Sequence, residues 1–220
     1  DHEGGRGSYG VHIPIAVVVD LDFVGTCPDR QTRAGIGDAL SNLNAVADWE
    51  LAHGVRGEPI DGLAVTLART GAEALLHHPG DISDDGFLTV LAEALIMGGI
   101  AMAISGSSRP CSGSCHEISH ALDMLHAHSA SHGEQVGLGA LFGTYLRGEK
   151  ARFTQLEASL RRHGLPRIPA DLGLTDEEFA EAVEYAPHTR PDRYTILEHL
   201  ALGPAEVRAA VAEYTNAVTG

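Results

Sequence analysis

A single β-branched run, "IPIAVVVDLDFV" at residues 13–24, stands near the front of this chain, and beyond Pro28 the apolar patterns repeat at helical spacing. One strand has no partner for its backbone N–H and C=O groups and cannot form a sheet by itself. The chain must therefore build its core by packing helix against helix. The periodicity places helices over 29–53, where Gly35 and Gly37 break the pattern early, and over 60–78, 84–104, 114–126, 132–148, 150–163, 176–185 and 204–218. Boundary signals agree with several of these spans. Thr175 opens a capping box closed by Glu178, Ser83 is followed by the N-terminal carboxylates Asp84 and Asp85, and Pro204 follows Gly203 as a first-turn proline. "DHEGGRGSYG" and "HGLPRIPADLG" read as loops. The expected fold is mainly α, bundle-like, with one short strand left over from an α/β portion that would precede it.

At 220 residues the chain can bury a sizeable core as one domain. "FLTVLAEALIMGGIAMAISG" contains Glu93 and lies between polar loops, so it reads as a buried core helix rather than a membrane span. No signal peptide is evident. Fifteen Lys and Arg stand against thirty Asp and Glu, a formal charge of -15, which opposes binding to nucleic acid or to an anionic membrane. Three cysteines, Cys27, Cys111 and Cys115, do not make a disulfide framework and point to a reducing cytoplasm.

Chemistry concentrates in "SSRPCSGSCHEISHALD" and in the "HGEQVG" that follows. His116 and His120 are four residues apart and share a helix face. A turn at "HAHSAS" would let the next helix run back and set His132 opposite them. Two neutral imidazoles holding a divalent cation call for an anionic third ligand. Asp38 in "AGIGDALSN" is the candidate, an acid inside an apolar helix with Asn42 one turn later on the same face. The same residues have a plain structural reading, with His116 capping or packing, His120 satisfying a buried carbonyl and Asp38 bonding between helices. A thiol site built from Cys111, Cys115 and His116, or a Cys111–Cys115 disulfide, is the further alternative. His77 and His78 read as helix C-terminal residues, and His126 and His128 as loop residues.

Together "AGIGDALSN", "SSRPCSGSCHEISHALD", "HGEQVGLGALF" and "TRPDRYTILEHL" resemble, in order, the glycerol-1-phosphate dehydrogenase branch of the dehydroquinate synthase-like and iron-containing alcohol dehydrogenase superfamily. That resemblance implies an N-terminal α/β domain binding a nicotinamide cofactor, an all-helical metal domain, and an active site between them. It makes residues 1–27 a loop and last strand from the cofactor domain, and residues 28–220 the helical metal-binding domain. The glycine-rich phosphate-binding segment of the family is absent from this sequence, so NAD(P) would be bound mainly by the preceding domain. The resemblance implies Asp38, His116 and His132 as metal ligands and His120 as a proton-transferring or orienting residue beside the substrate. Ser108 and Arg109 fall in the family's "SRP" segment and would shape the substrate pocket, a loop-structuring role being the other reading of Arg109. Asn42 stands where iron-dependent relatives carry a further histidine, which favours zinc, with nickel and iron as alternatives. Cys111 replaces the usual alanine and Cys115 a common glutamate.

The function that follows is a metal- and NAD(P)(H)-dependent oxidoreductase acting on a small polyol or polyol phosphate, such as glycerol 1-phosphate and dihydroxyacetone phosphate. This chain alone would be inactive. The rival readings are a dehydroquinate synthase-like cyclase and a non-catalytic helical metal-binding module. Expected partners are the small carbonyl or polyol substrate and, through bare apolar surface, a second copy in a homodimer, with neither nucleic acid nor membrane.

Overall fold

The structure, a computed structural model, describes residues 13–127 and 129–220. The expected loop over the first ten residues, and His128, lie outside the described residues. All of the helical spans read from periodicity are present: α2 (Asp29–Arg56), α3 (Gly62–His77), α4 (Asp85–Ser105), α5 (Ser114–Leu125), α6 (His132–Leu146), α7 (Lys150–Arg162), α8 (Asp176–Thr189) and α10 (Pro204–Thr219). Three short elements were not legible from periodicity, being too short to repeat. They are α1 (Leu21–Val24), a 3-10 turn at Pro169–Leu172 inside the expected loop, and α9 (Ile196–Leu200).

The β-branched run does not form a strand among the described residues. Residues 13–20 lie exposed, and Leu21–Val24 closes into a helical turn whose first amides are capped by the Asp20 carboxylate (Asp22 N to Oδ1, 3.0 Å). Strand propensity needs a neighbouring ladder, and none is offered here.

Helix α2 is unbroken through Gly35 and Gly37, contrary to the local expectation. It is the central rod, packed along both α6 and α3, while α5 packs on α6, α8 packs on α5 and α10 closes over α8. The core is aliphatic and aromatic, with Ile36, Leu40, Leu75, Phe87, Ile118, Leu122, Leu138, Leu141, Phe142 and Phe179 fully buried. At the crossing of α2 and α6 the two backbones nearly touch. A methyl group on Gly37 would collide with the Gly133 carbonyl, one on Gly133 would land on the carbonyl of Ala34, and one on Gly137 would lie 3.3 Å from the Gly37 Cα. Glycine's helix penalty of about 1 kcal/mol is accepted here in exchange for a closer crossing.

Capping follows the sequence signals. Thr175 and Glu178 form the expected box, Pro204 opens α10, and Asp84 rather than Ser83 caps α4, its carboxylate taking the Gly86 amide at 2.8 Å. Helix α4 is only partly the buried helix its composition suggested. Phe87, Leu88, Leu91, Ala94, Gly98 and Ala101 are buried, largely against α3, whereas Leu95, Ile100, Met102 and Ile104 face outward. Among the described residues it alone is long and apolar enough to cross a membrane.

A second polar tie runs through the interior. Asp48 of α2 is wholly buried and accepts the Ser114 amide (2.7 Å), the Ser114 hydroxyl (2.7 Å), the Asn44 amide (3.2 Å) and the Ile196 amide (2.8 Å), and it pairs with Arg147. One carboxylate thereby anchors the N-termini of α5 and α9 and the end of α6 onto α2.

The crossing predicts that Gly133→Ala destabilises the fold by about 1–3 kcal/mol through overpacking. Gly54→Ala, on a part of α2 where a methyl meets nothing within 4 Å, should stabilise it by up to about 1 kcal/mol. Denaturant unfolding of the two variants separates packing from propensity. A further prediction concerns acid. Burial and the Arg162 guanidinium push the His163 imidazole from 6.5 down to about 4. The folded chain thus binds fewer protons than the unfolded chain between those values, so stability is full above about pH 6.5 and declines as pH falls toward 4. His163→Phe should flatten melting temperature against pH over that range.

Candidate metal centre

Asp38 sits on α2 next to Gly37, His132 is the first residue of α6 next to Gly133, and His116 and His120 stand one turn apart on α5. The close α2–α6 crossing therefore brings a carboxylate and an imidazole together by backbone approach. His116 completes the group from α5, which packs on α6. The His116 Nε2 lies 3.8 Å and the His132 Nε2 3.9 Å from the same Asp38 oxygen, Oδ1, and the two imidazole rings are 5.0 Å apart in an edge arrangement. All three ligand atoms fall within 4.8 Å of one another. Donors around a tetrahedral zinc stand about 3.4 Å apart, so closure needs each histidine nitrogen to move roughly half an ångström toward Asp38 Oδ1 and the two imidazoles to draw together. An anion with two imidazoles is the donor set that a borderline divalent cation takes.

Both histidines turn Nε2 toward Asp38 because Nδ1 is engaged elsewhere. His116 Nδ1 lies 3.3 Å from the Cys115 sulfur, and His132 Nδ1 lies 3.0 Å from the Ser119 hydroxyl. Burial, with the neighbouring imidazoles of His132 and His120 and the guanidiniums of Arg193 and Arg190, holds His116 well below its usual 6.5. Burial and Arg190 push His120 down to about 4. Both imidazoles are thus neutral at neutral pH, the form that ligates metal.

These residues open onto one cavity of about 280 Å³, lined among others by Asp38, Asn42, Ser108, Cys111, His116, His120, His132 and Arg190. His120 reaches the cavity without joining the Asp38 group, its ring 6.5 Å from that of His116. Ser108 is held at the wall by Arg193, whose Nη2 donates to the Ser108 Oγ at 2.6 Å and whose Nη1 donates to the Ser112 carbonyl. The Ser108 hydroxyl proton remains for an oxygen in the cavity.

Arg109 is placed differently from the substrate-pocket expectation. Its side chain is buried in an ion pair with Glu58 and donates to the Tyr194 carbonyl at 3.1 Å, away from the cavity. It stitches the segment before α5 to the segment before α9, the loop-structuring alternative. The arginine that lines the cavity is Arg190, in "TRPDRYTILEHL". That segment stood out in the sequence, but periodicity carries no signal for which of its two arginines faces inward.

The thiol alternative is not supported, because among the described residues the group able to hold a metal contains neither Cys111 nor Cys115, and the two are free thiols rather than a disulfide. Burial raises the thiols to about 12 and about 11. Cys111 lines the cavity with its sulfur 3.4 Å from the Gly98 carbonyl, and Cys115 is fully buried. Three further histidines among the described residues hold structural positions. His77 pairs with Glu73 at 3.2 Å, His78 accepts the Gly80 amide at 3.0 Å, and His126 caps α5.

A carboxylate–imidazole group on a helical domain opens on a cavity, and comparison with known proteins finds chains similar to this one over most of its length. It is 40% identical over 198 residues to a glycerol-1-phosphate dehydrogenase [NAD(P)+] of Methanospirillum hungatei, covering 89% of this chain and 55% of that protein. It is 41% identical over 196 residues to the one of Thermococcus kodakarensis, covering 88% and 55%, and 38% identical over 216 residues to the one of Methanosarcina mazei, covering 97% and 60%. In fold it matches a crystal structure of a probable glycerol dehydrogenase from Sinorhizobium meliloti 1021, with a TM-score of 0.69 at 23% identity over 93% of this chain and 60% of that one. No family model matches. Over most of its length the chain is similar to glycerol-1-phosphate dehydrogenases, as the four motifs led us to expect. It spans just over half the length of the curated relatives it matches.

If the Asp38 group holds a metal, added Zn²⁺ should raise the melting temperature of the metal-free chain, since a ligand that binds only the folded state stabilises it. His132→Ala and Asp38→Asn should abolish that shift, whereas His77→Ala should leave it unchanged.

Proposed function

We propose that this chain is the metal-binding helical part of an NAD(P)-dependent oxidoreductase that interconverts a small polyol phosphate and its ketone, with glycerol 1-phosphate and dihydroxyacetone phosphate as the favoured pair. The observation that carries this reading is that Asp38, His116, His132, His120, Ser108 and Arg190 all line one cavity. Three protein donors with Asn42 beside them favour zinc over nickel or iron. Such a cation supplies positive charge where the substrate oxygen gains negative charge as hydride arrives.

The chain's own residues do the rest. Ser108 donates a hydroxyl proton to a substrate oxygen, and Arg193 holds it in place. His120, neutral at neutral pH and held in the cavity wall, moves a proton at a ring nitrogen to or from the substrate hydroxyl. Arg190, on the cavity wall, offers a planar cation for the phosphate, in a chain whose charge is otherwise strongly negative. The sequence has no glycine-rich cradle for a dinucleotide, so the nicotinamide cofactor would be held chiefly by an α/β domain lying before this region. The exposed apolar side chains of residues 13–23 and of α4 offer a face for that domain to cover. Three free cysteines fit a cytoplasmic setting.

The test is turnover by the polypeptide that carries this chain together with its nucleotide domain, using NADH or NADPH against dihydroxyacetone phosphate, dihydroxyacetone and simple aldehydes. The phosphorylated ketone should be preferred, and chelation should remove activity. Arg190→Gln should raise KM for the phosphorylated substrate about ten- to a hundred-fold, the scale of one charge-assisted hydrogen bond, and change KM for dihydroxyacetone little. The 220-residue chain by itself should not turn over. Absence of metal-dependent oxidation of NAD(P)H with every carbonyl would refute the reading.

A further inference from the structure

His132 is bonded through buried Ser119 and Gln135 to half-buried Asp123, and the chemistry of these groups sets the direction of each bond between them. At the far end, Asp123 presents a carboxylate, which only accepts. The Gln135 amide nitrogen donates to Asp123 Oδ1 at 3.1 Å and lies 3.5 Å from the Ser129 hydroxyl. This fixes the amide orientation, and Gln135 Oε1 must face Ser119. The Ser119 hydroxyl lies 2.7 Å from that Oε1, and both side chains are fully buried. An amide oxygen cannot donate, so Ser119 spends its single proton on Gln135. Its lone pair is then all it has to offer His132 Nδ1, 3.0 Å away. A hydroxyl that can only accept requires a proton on Nδ1. The neutral imidazole therefore carries none on Nε2, the atom 3.9 Å from Asp38 Oδ1.

We propose that Asp123, Gln135 and Ser119 form a hydrogen-bond chain that fixes the proton of His132 on Nδ1, so that Nε2 meets a divalent cation with its lone pair. The inference rests on the metal reading of the Asp38 group for its purpose, but the placement of the proton stands on the hydrogen bonds alone. Metal-ligating histidines are commonly oriented in this way through the second ring nitrogen. Here the director is an amide three residues along the same helix, itself set by a carboxylate on α5. Ser119, Gln135 and Asp123 are positioning residues, since none belongs to the ligand group or lines the cavity with it.

The test reads the proton directly. Nitrogen-15 spectra of the metal-free chain with labelled histidine, at a pH where the imidazoles are neutral, distinguish Nδ1–H from Nε2–H, and His132→Gln assigns the signal. The wild-type chain should show His132 as Nδ1–H. Gln135→Leu removes the acceptor, so Ser119 becomes free to donate to Nδ1, and the proton should move to Nε2. Zn²⁺ affinity, measured by competition with a chelating dye, should fall about ten- to a hundred-fold. The double variant Asp123→Asn/Gln135→Glu exchanges amide and carboxylate, reversing the bond between them, yet still presents an acceptor oxygen to Ser119. It should restore both the Nδ1–H signal and an affinity within about three-fold of wild type on that same scale. Ser119→Ala, a small change in a packed site, should leave the His132 signal mixed between the two forms and covers the case in which Gln135→Leu does not fold. An Nε2–H signal in the wild-type chain, or an Nδ1–H signal unmoved by Gln135→Leu and Ser119→Ala alike, overturns the proposal. A wild-type chain with the expected proton but no Zn²⁺ affinity refutes the metal reading and with it the purpose assigned to the chain.

Discussion

The near-contact of two helix backbones at Gly37 and Gly133 governs the arrangement of this molecule. Asp38 follows one of these glycines and His132 precedes the other, so the closeness of the backbones sets the closeness of the side chains. Any side chain at the crossing would push α2 from α6, and the carboxylate from the imidazole, by the thickness of a methyl group. Packing and site geometry are one constraint here, because well-packed interiors pass on displacement rather than absorb it.

Around that crossing, buried polar groups decide the order of the remaining segments. Asp48 takes amide and hydroxyl hydrogens from two helix starts that lie far apart in sequence, and Arg147 supplies the compensating charge. The segment from Arg190 to Thr195 is tied by Arg193 to Ser108 and Ser112, and by the Thr195 hydroxyl to Glu117 at 3.0 Å. Burial and the nearby Glu198 raise Glu117 to about 9, so it stays neutral at pH 7 and adds no unpaired charge to the interior. These ties hold Ser108 and Arg190 on the wall of the cavity that the Asp38 group opens into. Buried polar networks of this kind contribute to specificity of arrangement more than to net stability.

Much of the helical pattern was legible because amphipathic periodicity over a dozen or more residues leaves little choice of element. The β-branched run misled for the opposite reason, since a strand exists only with a neighbour and the described residues provide none. Gly35 and Gly37 misled as well: a glycine pair lowers local helix propensity, yet at this place it is what allows α2 to pack on α6. The metal ligands could be nominated from i,i+4 spacing and an acid in an apolar helix. Arg109 and Arg190 could not be told apart, because which guanidinium faces a cavity depends on partners such as Glu58 that are distant in sequence.

The sequence by itself determined an all-helical body, its caps and the residue types able to hold a divalent cation, because these follow from short-range spacing and side-chain chemistry. Only the tertiary structure decided that the Nε2 atoms of His116 and His132 converge on one oxygen of Asp38, that Arg190 rather than Arg109 lines the cavity, and that the partners of His132 are ordered. Those outcomes depend on the distance between helices and on hydrogen-bond partners brought together from separate elements, and neither is encoded in any one stretch of the chain.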